Sequence, residues 1–224
     1  CGPRVLVDLS GASRYYTMGL IALFLRLGLF KYCDVFYAEG KYSNDDPIET
    51  IQFTDGEWRK IAIPFLDGDG NLSSACHYFV SCGFEGTKMR RILRRDEPEI
   101  ISLISPLPGF NAEYSSRAKA ELRELQRSFE IDDSTVYCAA AGDAISAWAR
   151  VEEGRLRYGS DDLQVAYLCC GTKPHALGLT LDAISCRIPV VYYMKPASHR
   201  VIETFESGVY WIYKIVDYSN VNRE

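Results

Sequence analysis

The chain has 224 residues, of which 47% are hydrophobic and 25% charged, and this is enough apolar material to bury one large core. Its formal net charge of −5 argues against a general nucleic-acid groove, because non-specific binding to a phosphate backbone needs clustered, uncompensated Lys and Arg. We therefore expect a single domain over residues 1–224, which can still hold a local basic pocket.

Cysteine use and hydropathy indicate the compartment. The chain holds eight cysteines without a C-x-x-C pair and shows no secretory signal, so reduced thiols are expected rather than a disulfide scaffold or a zinc site. The longest apolar run, residues 18–30, contains Arg26 and is shorter than the about 20 residues that a bilayer needs. These features predict a cytoplasmic protein with free thiols, no membrane segment, no metal and no cofactor.

The first elements in chain order are a strand, a tight turn, a helix and a second strand, since a short β-branched run gives way to a long stretch of helical composition. They span residues 4–9, 10–11, 14–30 and 33–38. Residues 41–74 are rich in turn-forming residues, and we expect a peripheral insert there, with a hairpin or edge strands at 48–66.

From residue 77 onward, the pattern becomes a series in which strand, Gly/Pro turn and helix repeat. The predicted strands span residues 77–81, 99–104, 135–140, 164–169 and 188–194, and the predicted helices span 87–95, 111–129, 144–153 and 174–186. Strands that are apolar on both faces and alternate with helices are typical of a mostly parallel sheet covered on both sides. The predicted fold class is therefore a doubly wound, Rossmann-like α/β fold.

Both ends of the chain are expected to join this sheet. We predict that the strand at 4–9 lies in the same sheet as the later strands, and that the aromatic tail at 209–216 adds a C-terminal edge strand. Apolar side chains of two helices should then be buried against the sheet: Leu20, Leu23, Phe24, Leu177 and Leu181.

The fold class also predicts where a ligand binds, since open α/β sheets bind ligands beyond the carboxyl ends of their strands. The candidate residues are those in the turns at these ends: Asp8, Ser10, Gly11, Ser13, Arg14, Gly83, Glu85, Gly86, Thr87, Lys88, Gly109, Tyr114, Gly142, Asp143, Gly171, Thr172, Lys173, Pro174 and His175.

The turn at residues 171–175 carries the strongest signal. It places backbone N–H groups, a hydroxyl and the ammonium of Lys173 at a helix N-terminus, with Pro174 suited to the first helical turn. This combination suits an anion. The alternative is that Thr172 only caps the helix and Lys173 is solvated, although a Lys in the first turn opposes the helix dipole and is not what capping alone would select.

Two other turns are weaker candidates. The triplet G-T-K also occurs at residues 86–88, where it would again place backbone N–H groups, a hydroxyl and an ammonium at a helix start. A run of arginines follows it, however, and such a run is also expected of a solvated helix face. Asp8 can cap a helix, hold a ribose hydroxyl or hold a neighbouring Lys. His175 is the one histidine placed in a candidate turn, and Cys170 is interpreted as a packing thiol rather than a nucleophile.

Sequence fingerprints of common enzymes are missing from the chain. It contains no G-x-x-x-x-G-K-S/T, no ordered G-x-G-x-x-G after its first strand and no G-x-S-x-G. These absences argue against a P-loop NTPase, a dinucleotide-dependent enzyme and an esterase, respectively.

The strand-G-T-K-P-x-x-L-G helix, together with the D-L-S-G turn after the first strand, resembles the CRISPR-associated Rossmann-fold (CARF) ligand-sensor domains of prokaryotic defence systems. That resemblance implies a pocket, across a homodimer axis, that binds cyclic oligoadenylates for antiviral defence. It is specific only at residues 8–14 and 171–175. The sequence shows neither an R-x-x-x-x-H nor a PD-D/E-x-K nuclease motif, so either an effector domain or subunit lies outside these residues or the domain acts alone.

Three functional hypotheses follow. The first is a sensor that binds a phosphate-bearing nucleotide, with Thr172, Lys173 and the turn amides holding phosphate and Ser10 and Ser13 contacting sugar or base. The second is a metal-independent ring nuclease in which a ribose 2′-hydroxyl attacks the adjacent phosphate and Lys173 stabilises the developing charge. His175 is the one candidate for a second cation or a general base there. The third is an interaction subunit whose sheet edge and aromatic tail dock a partner while the pocket is vestigial.

Overall fold

A computed structural model of the chain describes residues 4–29, 32–42, 53–66, 76–158, 163–186, 190–199 and 204–216. The helices are α1 Arg14–Arg26, α2 Gly86–Asp96, α3 Ala112–Phe129, α4 Ala144–Tyr158 and α5 Lys173–Ser185, with a 3-10 helix at Asp133–Thr135. The strands are β1 Arg4–Asp8, β2 Tyr32–Tyr42, β3 Thr54–Asp55, β4 Arg59–Ala62, β5 Cys76–Ser81, β6 Ile100–Pro106, β7 Val136–Ala139, β8 Gln164–Cys169, β9 Val190–Lys195, β10 Ser198–His199 and β11 Thr204–Val216. Within the described ranges, no helix combines the length and apolar character that crossing a membrane requires.

Six strands form the main sheet, in the order β4-β9-β8-β5-β6-β7. The strands from β9 to β7 run parallel, and β4 pairs antiparallel with β9 at one edge. Chain order reverses between β5 and β8, because β6 and β7 continue to one side and β9 lies on the other. This is the switch point at which open α/β sheets leave a crevice. The predicted fold class is confirmed.

Helices cover both faces of the main sheet. All six residues of β5 are buried, and successive residues of a strand point to opposite faces. Tyr78 and Val80 pack in one apolar cluster with α2 and α3, whereas Phe79 packs in a second cluster with α1, α4 and α5. Each fully buried apolar side chain of this kind contributes roughly 1.5–3 kcal/mol. Burial on both faces explains why the strand shows no alternation of apolar and polar residues.

The first strand does not join the main sheet, and that prediction is wrong. β1 pairs in parallel with β2, and β11 pairs antiparallel with β2, in a separate three-stranded sheet that we call the small sheet. In β1, Arg4, Leu6 and Asp8 are exposed while Val7 is buried. Such alternation suits a sheet with one solvent face rather than the middle of a covered parallel sheet. The C-terminal strand is an edge strand as predicted, but it belongs to the small sheet.

Gly142 joins the small sheet to the rest of the molecule. A Cβ at this position would lie 2.4 Å from the indole ring of Trp211 in β11, so the close approach requires glycine. The hydroxyl of Tyr213 donates a hydrogen bond of 2.5 Å to the Gly142 carbonyl. The sequence analysis proposed Gly142 as a ligand residue, but the structure places β11 against it.

The predicted insert at 41–74 is described in part. Within it, β4 forms one edge of the main sheet, and β3 pairs antiparallel with β10, as expected of edge strands. Residues 43–52 and 67–74 lie outside the described part of the chain.

Burial of the predicted helix side chains is uneven. Leu177 is fully buried, but Leu20 is 40% exposed, so burial of Leu20 was predicted wrongly. The other three are half-buried: Leu23, Phe24 and Leu181. Helix α1 turns residues 17–19 and 21–22 to the core, and the 3.6-residue period leaves Leu20 beside that stripe rather than in it.

Candidate functional site

A cavity of about 610 Å³ lies at the carboxyl ends of the main-sheet strands, and the small sheet contributes one wall of it. We call it the strand-end cavity. The predicted candidates that line it are Ser10, Gly11, Arg14, Gly83, Glu85, Gly109, Tyr114, Gly171, Thr172 and Lys173. The predicted candidates that do not line it are Asp8, Ser13, Gly86, Thr87, Lys88, Gly142, Asp143, Pro174 and His175.

The floor of the cavity is the switch point, where the loops after β5 and β8 cross. A Cβ at Gly83 would lie 2.4 Å from the Cys170 carbonyl oxygen, and a Cβ at Gly171 would lie 2.4 Å from that of Cys82. The Gly171 amide donates to Ser81 Oγ over 2.9 Å, so this N–H is not available to a ligand. The two glycines allow the loops to approach and open the crevice that the fold class predicts.

Two cations meet at one end of the cavity. Lys173, the first residue of α5, donates from Nζ to the Ser10 carbonyl over 2.5 Å. Burial and the neighbouring Arg14 together lower the pKa of Lys173 to about 8, while the carboxylate of Asp8 opposes this shift. Arg14 is the first residue of α1, and its buried Nε has no hydrogen-bond partner among the described residues. We call Arg14 and Lys173 the cationic end.

Thr172 caps α5, as the alternative interpretation holds. Its hydroxyl accepts from the His175 amide at 3.3 Å and donates to the Ala141 carbonyl at 2.8 Å. The hydroxyl is therefore used in fixing the helix start against the loop after β7. Pro174 is buried in the first turn of the helix, where its missing N–H costs nothing.

His175 does not reach the cavity. Its side chain is fully buried, with Nε2 3.0 Å from the Ala140 carbonyl oxygen. Burial lowers the pKa of His175 to about 4, so the ring is neutral at physiological pH. The sequence suggested this residue because it lies at the strand end where a helix begins, but its ring is buried against the loop after β7.

The loop after β1 is held by its own side chains. Asp8 Oδ1 accepts from the Ser10 amide over 2.7 Å, and hydrogen bonds from Ser10 lower the pKa of Asp8. Ser10 Oγ accepts from the Ala38 amide over 2.8 Å, and Ser13 caps α1 by accepting from the Tyr15 amide. Only the Ser10–Gly11 turn and Arg14 face the cavity.

The second G-T-K triplet has a structural role. The Gly86 amide donates to Glu121 Oε2 over 3.1 Å, so a carboxylate of the protein already occupies the start of α2. Lys88 Nζ donates to the Thr54 carbonyl over 2.5 Å and to Glu85 Oε1 over 2.8 Å. The Thr87 hydroxyl accepts from Arg90.

Asp143 caps the start of α4. Its Oδ1 accepts from the Ser146 amide over 2.9 Å and its Oδ2 from the Ser146 hydroxyl over 2.6 Å. Burial would raise the pKa of Asp143, but these hydrogen bonds outweigh it and the net shift is downward.

Four aromatic rings in the lining of the cavity pack against one another. Ring centroids of Tyr42 and Phe53 lie 4.9 Å apart, those of Tyr42 and Tyr114 5.5 Å, and those of Phe84 and Tyr114 5.8 Å. The guanidinium of Arg117 lies 4.9 Å from the Phe84 centroid, which supports the cluster from one side. We call Tyr42, Phe53, Phe84 and Tyr114 the aromatic wall. Sequence reasoning found only Tyr114, since the four rings come from separate segments.

Carboxylates also line the cavity, so it is not uniformly positive. Glu39 is 8% exposed, and burial raises its pKa. Glu85 accepts from the Thr54 hydroxyl over 2.6 Å, and Glu206 accepts from the Tyr210 hydroxyl over 3.0 Å. These groups restrict a bound anion to the neighbourhood of Arg14 and Lys173.

Thiols and metal ligands give no further chemistry here. The seven cysteines in the described ranges form no disulfide, and Cys1 lies outside them. Cys170 lines the cavity, but burial raises its pKa well above the usual value, which keeps it a thiol rather than a reactive thiolate. Among the residues described, no three His, Cys, Asp or Glu side chains gather as a metal site would need.

No protein-family model and no curated protein matches this chain.

Proposed function

We propose that the protein is a sensor that binds a phosphate-bearing nucleotide in the strand-end cavity. The observation that carries this proposal is one cavity, at the switch point of the main sheet, whose lining includes two cations, Arg14 and Lys173, and an aromatic wall. A nucleotide has the matching pair of features, an anionic phosphate and a planar base.

The cationic end is suited to one phosphate group. Arg14 and Lys173 both line the cavity, and Arg14 Nε has no described partner. A charge-assisted hydrogen bond to phosphate contributes about 1.5–3 kcal/mol, and burial strengthens it because the local dielectric is low. The Lys173 ammonium is already withdrawn from bulk water, so a phosphate would meet it with little further desolvation.

The aromatic wall is suited to the base. Stacking of a base on an aromatic side chain contributes about 1–3 kcal/mol and does not depend on the identity of the base. The cavity volume of about 610 Å³ falls in the usual range for small-molecule sites. Size and lining together fit a nucleotide better than a bare phosphate or a purely apolar ligand.

The resemblance to CARF domains extends this proposal to its biological setting. It implies a cyclic oligoadenylate as the ligand, a cytoplasmic role in antiviral defence, a homodimer and an effector that reads occupancy. No covalent chemistry is needed for such a role, because the ligand only has to favour one conformation of the protein.

The ring-nuclease hypothesis loses its general base, because His175 is buried beneath α5 and bonded to the Ala140 carbonyl. The interaction-subunit hypothesis gains from one observation, the exposed apolar residues on the small sheet, among them Leu6 and Ile212.

Calorimetric titration tests the site with two matched variants. The titrants are linear and cyclic oligoadenylates, mononucleotides and inorganic phosphate. Lys173→Ala should weaken nucleotide affinity roughly tenfold to a hundredfold, through loss of one charge-assisted hydrogen bond. The control is Lys119→Ala, which removes an exposed lysine of α3 that does not line the cavity, and it should leave affinity unchanged.

The proposal fails if no nucleotide in the panel binds, or if both variants weaken binding equally. Equal weakening would mean that the lysines act only through the net charge of the protein. Turnover of a bound oligonucleotide by the wild type would instead favour the nuclease hypothesis.

A further inference from the structure

Glu39 is a buried carboxylate in the lining of the strand-end cavity. It lies on β2 two residues beyond Tyr37, which also lines the cavity. Residues two apart on a strand share a face, so both side chains lie on the face of β2 that also buries Val35. A carboxylate placed in this way meets a bound ligand more readily than it meets bulk water.

The contacts of Glu39 leave part of its hydrogen-bonding capacity unused. Burial raises its pKa, while a hydrogen bond from the Ser207 hydroxyl and the charge of Lys41 lower it, so both contacts favour the ionised form. Among the described residues, no lysine, arginine or histidine forms an ion pair with Glu39. An ionised carboxylate can accept about four hydrogen bonds, which leaves acceptor sites for a ligand after Ser207 has bonded.

A β-bulge in β11 brings Ser207 to Glu39. The pairing of β11 with β2 shifts register between residues 206 and 210, and Gly208 has a φ of +80° there, which glycine adopts without strain. The Ser207 Oγ accepts from the Val209 amide over 3.1 Å, so its own proton is free to go to Glu39. The bulge therefore fixes the carboxylate in the lining of the cavity.

Glu39 lies near the aromatic wall. Burial raises the pKa values of Tyr37 and Tyr114, and the charge of Glu39 adds to both shifts. Tyr114 belongs to the wall on which the proposed nucleotide stacks its base. The pKa of Lys173, in contrast, depends on burial, Arg14 and Asp8. The carboxylate is thus placed to meet the edge of a base rather than to neutralise the ammonium.

We propose that Glu39 recognises the edge of the base and makes the site selective for guanine. Guanine has two adjacent donors on its Watson–Crick edge, N1–H and the N2 amino group, and the two oxygens of a carboxylate can accept from both side by side. Adenine and cytosine each place a ring-nitrogen acceptor beside the amino group, which would bring a lone pair against a carboxylate oxygen. Uracil has one donor between two carbonyl groups. This selectivity rests on the proposed nucleotide site.

Selectivity for guanine differs from the adenylate that the resemblance to CARF domains implies. That resemblance is specific only at residues 8–14 and 171–175, and Glu39 lies outside both. The two turns supply Arg14 and Lys173, which bear on phosphate binding and do not distinguish bases. The choice of base depends instead on what the small sheet adds to the cavity.

Calorimetric titration of the wild-type chain with nucleoside 5′-monophosphates tests this selectivity. Guanosine monophosphate should bind at least about tenfold more tightly than adenosine monophosphate, through one or more charge-assisted hydrogen bonds that adenine cannot make. Inosine monophosphate lacks only the N2 amino group of the guanosine nucleotide. It keeps the N1–H donor, so its affinity should lie between the other two.

Glu39→Gln tests the residue, because it keeps the size of the side chain and replaces one acceptor by a donor. An amide offers one acceptor and one donor, the pattern that pairs with adenine. The variant should lose at least about tenfold in affinity for guanosine monophosphate and gain affinity for adenosine monophosphate. The control is Glu152→Gln, which removes the same charge from an exposed position of α4 outside the cavity and should change neither affinity.

The outcomes separate this inference from the proposed function. If no nucleotide binds, the nucleotide site and its selectivity both fail. If adenosine monophosphate binds as tightly as guanosine monophosphate or more tightly, nucleotide binding stands and selectivity for guanine is overturned. The same holds if Glu39→Gln weakens both nucleotides equally, because Glu39 would then hold the ribose that they share.

Discussion

Lys173 and Lys88 each end a G-T-K triplet, yet the surroundings of the two side chains differ. Lys173 faces the strand-end cavity beside Arg14, whereas Lys88 bonds to Thr54 and Glu85. The sequence could predict that both triplets begin helices at strand ends, because Gly and Lys have the same local effect in each. It could not distinguish them, because Thr54 is supplied by a segment more than thirty residues away in the chain and no local pattern announces that contact.

The lowered pKa of Lys173 predicts how affinity depends on pH. Its folded-state value of about 8 means that the ammonium is present at pH 7 and is lost as the pH rises through 8. Affinity for a nucleotide phosphate should therefore be highest below pH 8 and should fall between pH 8 and pH 9, where calorimetry should also detect proton uptake on binding. Lys173→Ala should remove most of this fall.

The same shift has the opposite sign for stability. The unfolded lysine titrates near pH 10.4, so between about pH 8 and that value the unfolded chain binds more protons than the folded one. Lys173 then contributes stability that is present at high pH and is lost as the pH falls through 8.

The affinity prediction has a clear contrary outcome. If nucleotide affinity stays constant from pH 7 to pH 9, the ammonium of Lys173 does not contact the ligand.

At the scale of the elements, periodicity predicted most of the main sheet. β5, β6 and β8 lie close to their predicted ranges because strands buried on both faces are continuous apolar runs between Gly/Pro turns. The misplaced element was β1, although its sequence R-V-L-V-D alternates and Arg4 and Asp8 are exposed. That alternation was the available signal for a half-exposed sheet. The pairing of β11 with β2 could not be predicted, since it joins residues far apart in the chain.

The contact between Gly142 and β11 should control how firmly the small sheet is held. Gly142→Ala places a methyl group 2.4 Å from the Trp211 ring, and such overpacking costs about 1–3 kcal/mol. Denaturant unfolding should measure this loss, together with a change in tryptophan fluorescence. The control is Gly11→Ala, where no atom lies within 4 Å of the added Cβ, and its stability should stay within about 0.5 kcal/mol. Equal stability of both variants would mean that Trp211 does not pack on Gly142.

At the scale of the whole molecule, the strand-end cavity exists because the small sheet closes over the carboxyl ends of the main sheet. The fold class predicted the open crevice at the switch point, and with it Gly171 and Lys173. It did not predict the aromatic wall, because Tyr42, Phe53 and Phe84 come from three separate segments that meet only in the folded chain. General rules for α/β sheets locate the floor of a site, whereas its walls depend on whatever each protein adds there.

The most direct test of nucleotide binding at this site is a crystal structure of the protein with the tightest-binding nucleotide of the panel. We expect a phosphate oxygen within hydrogen-bond distance of Lys173 Nζ or the Arg14 guanidinium, and the base against the aromatic wall formed in part by Tyr42 and Tyr114. Lys173 Nζ should then have moved from the Ser10 carbonyl or share its protons with the phosphate. A nucleotide bound outside the strand-end cavity, or one whose phosphates contact neither cation, would contradict the proposal.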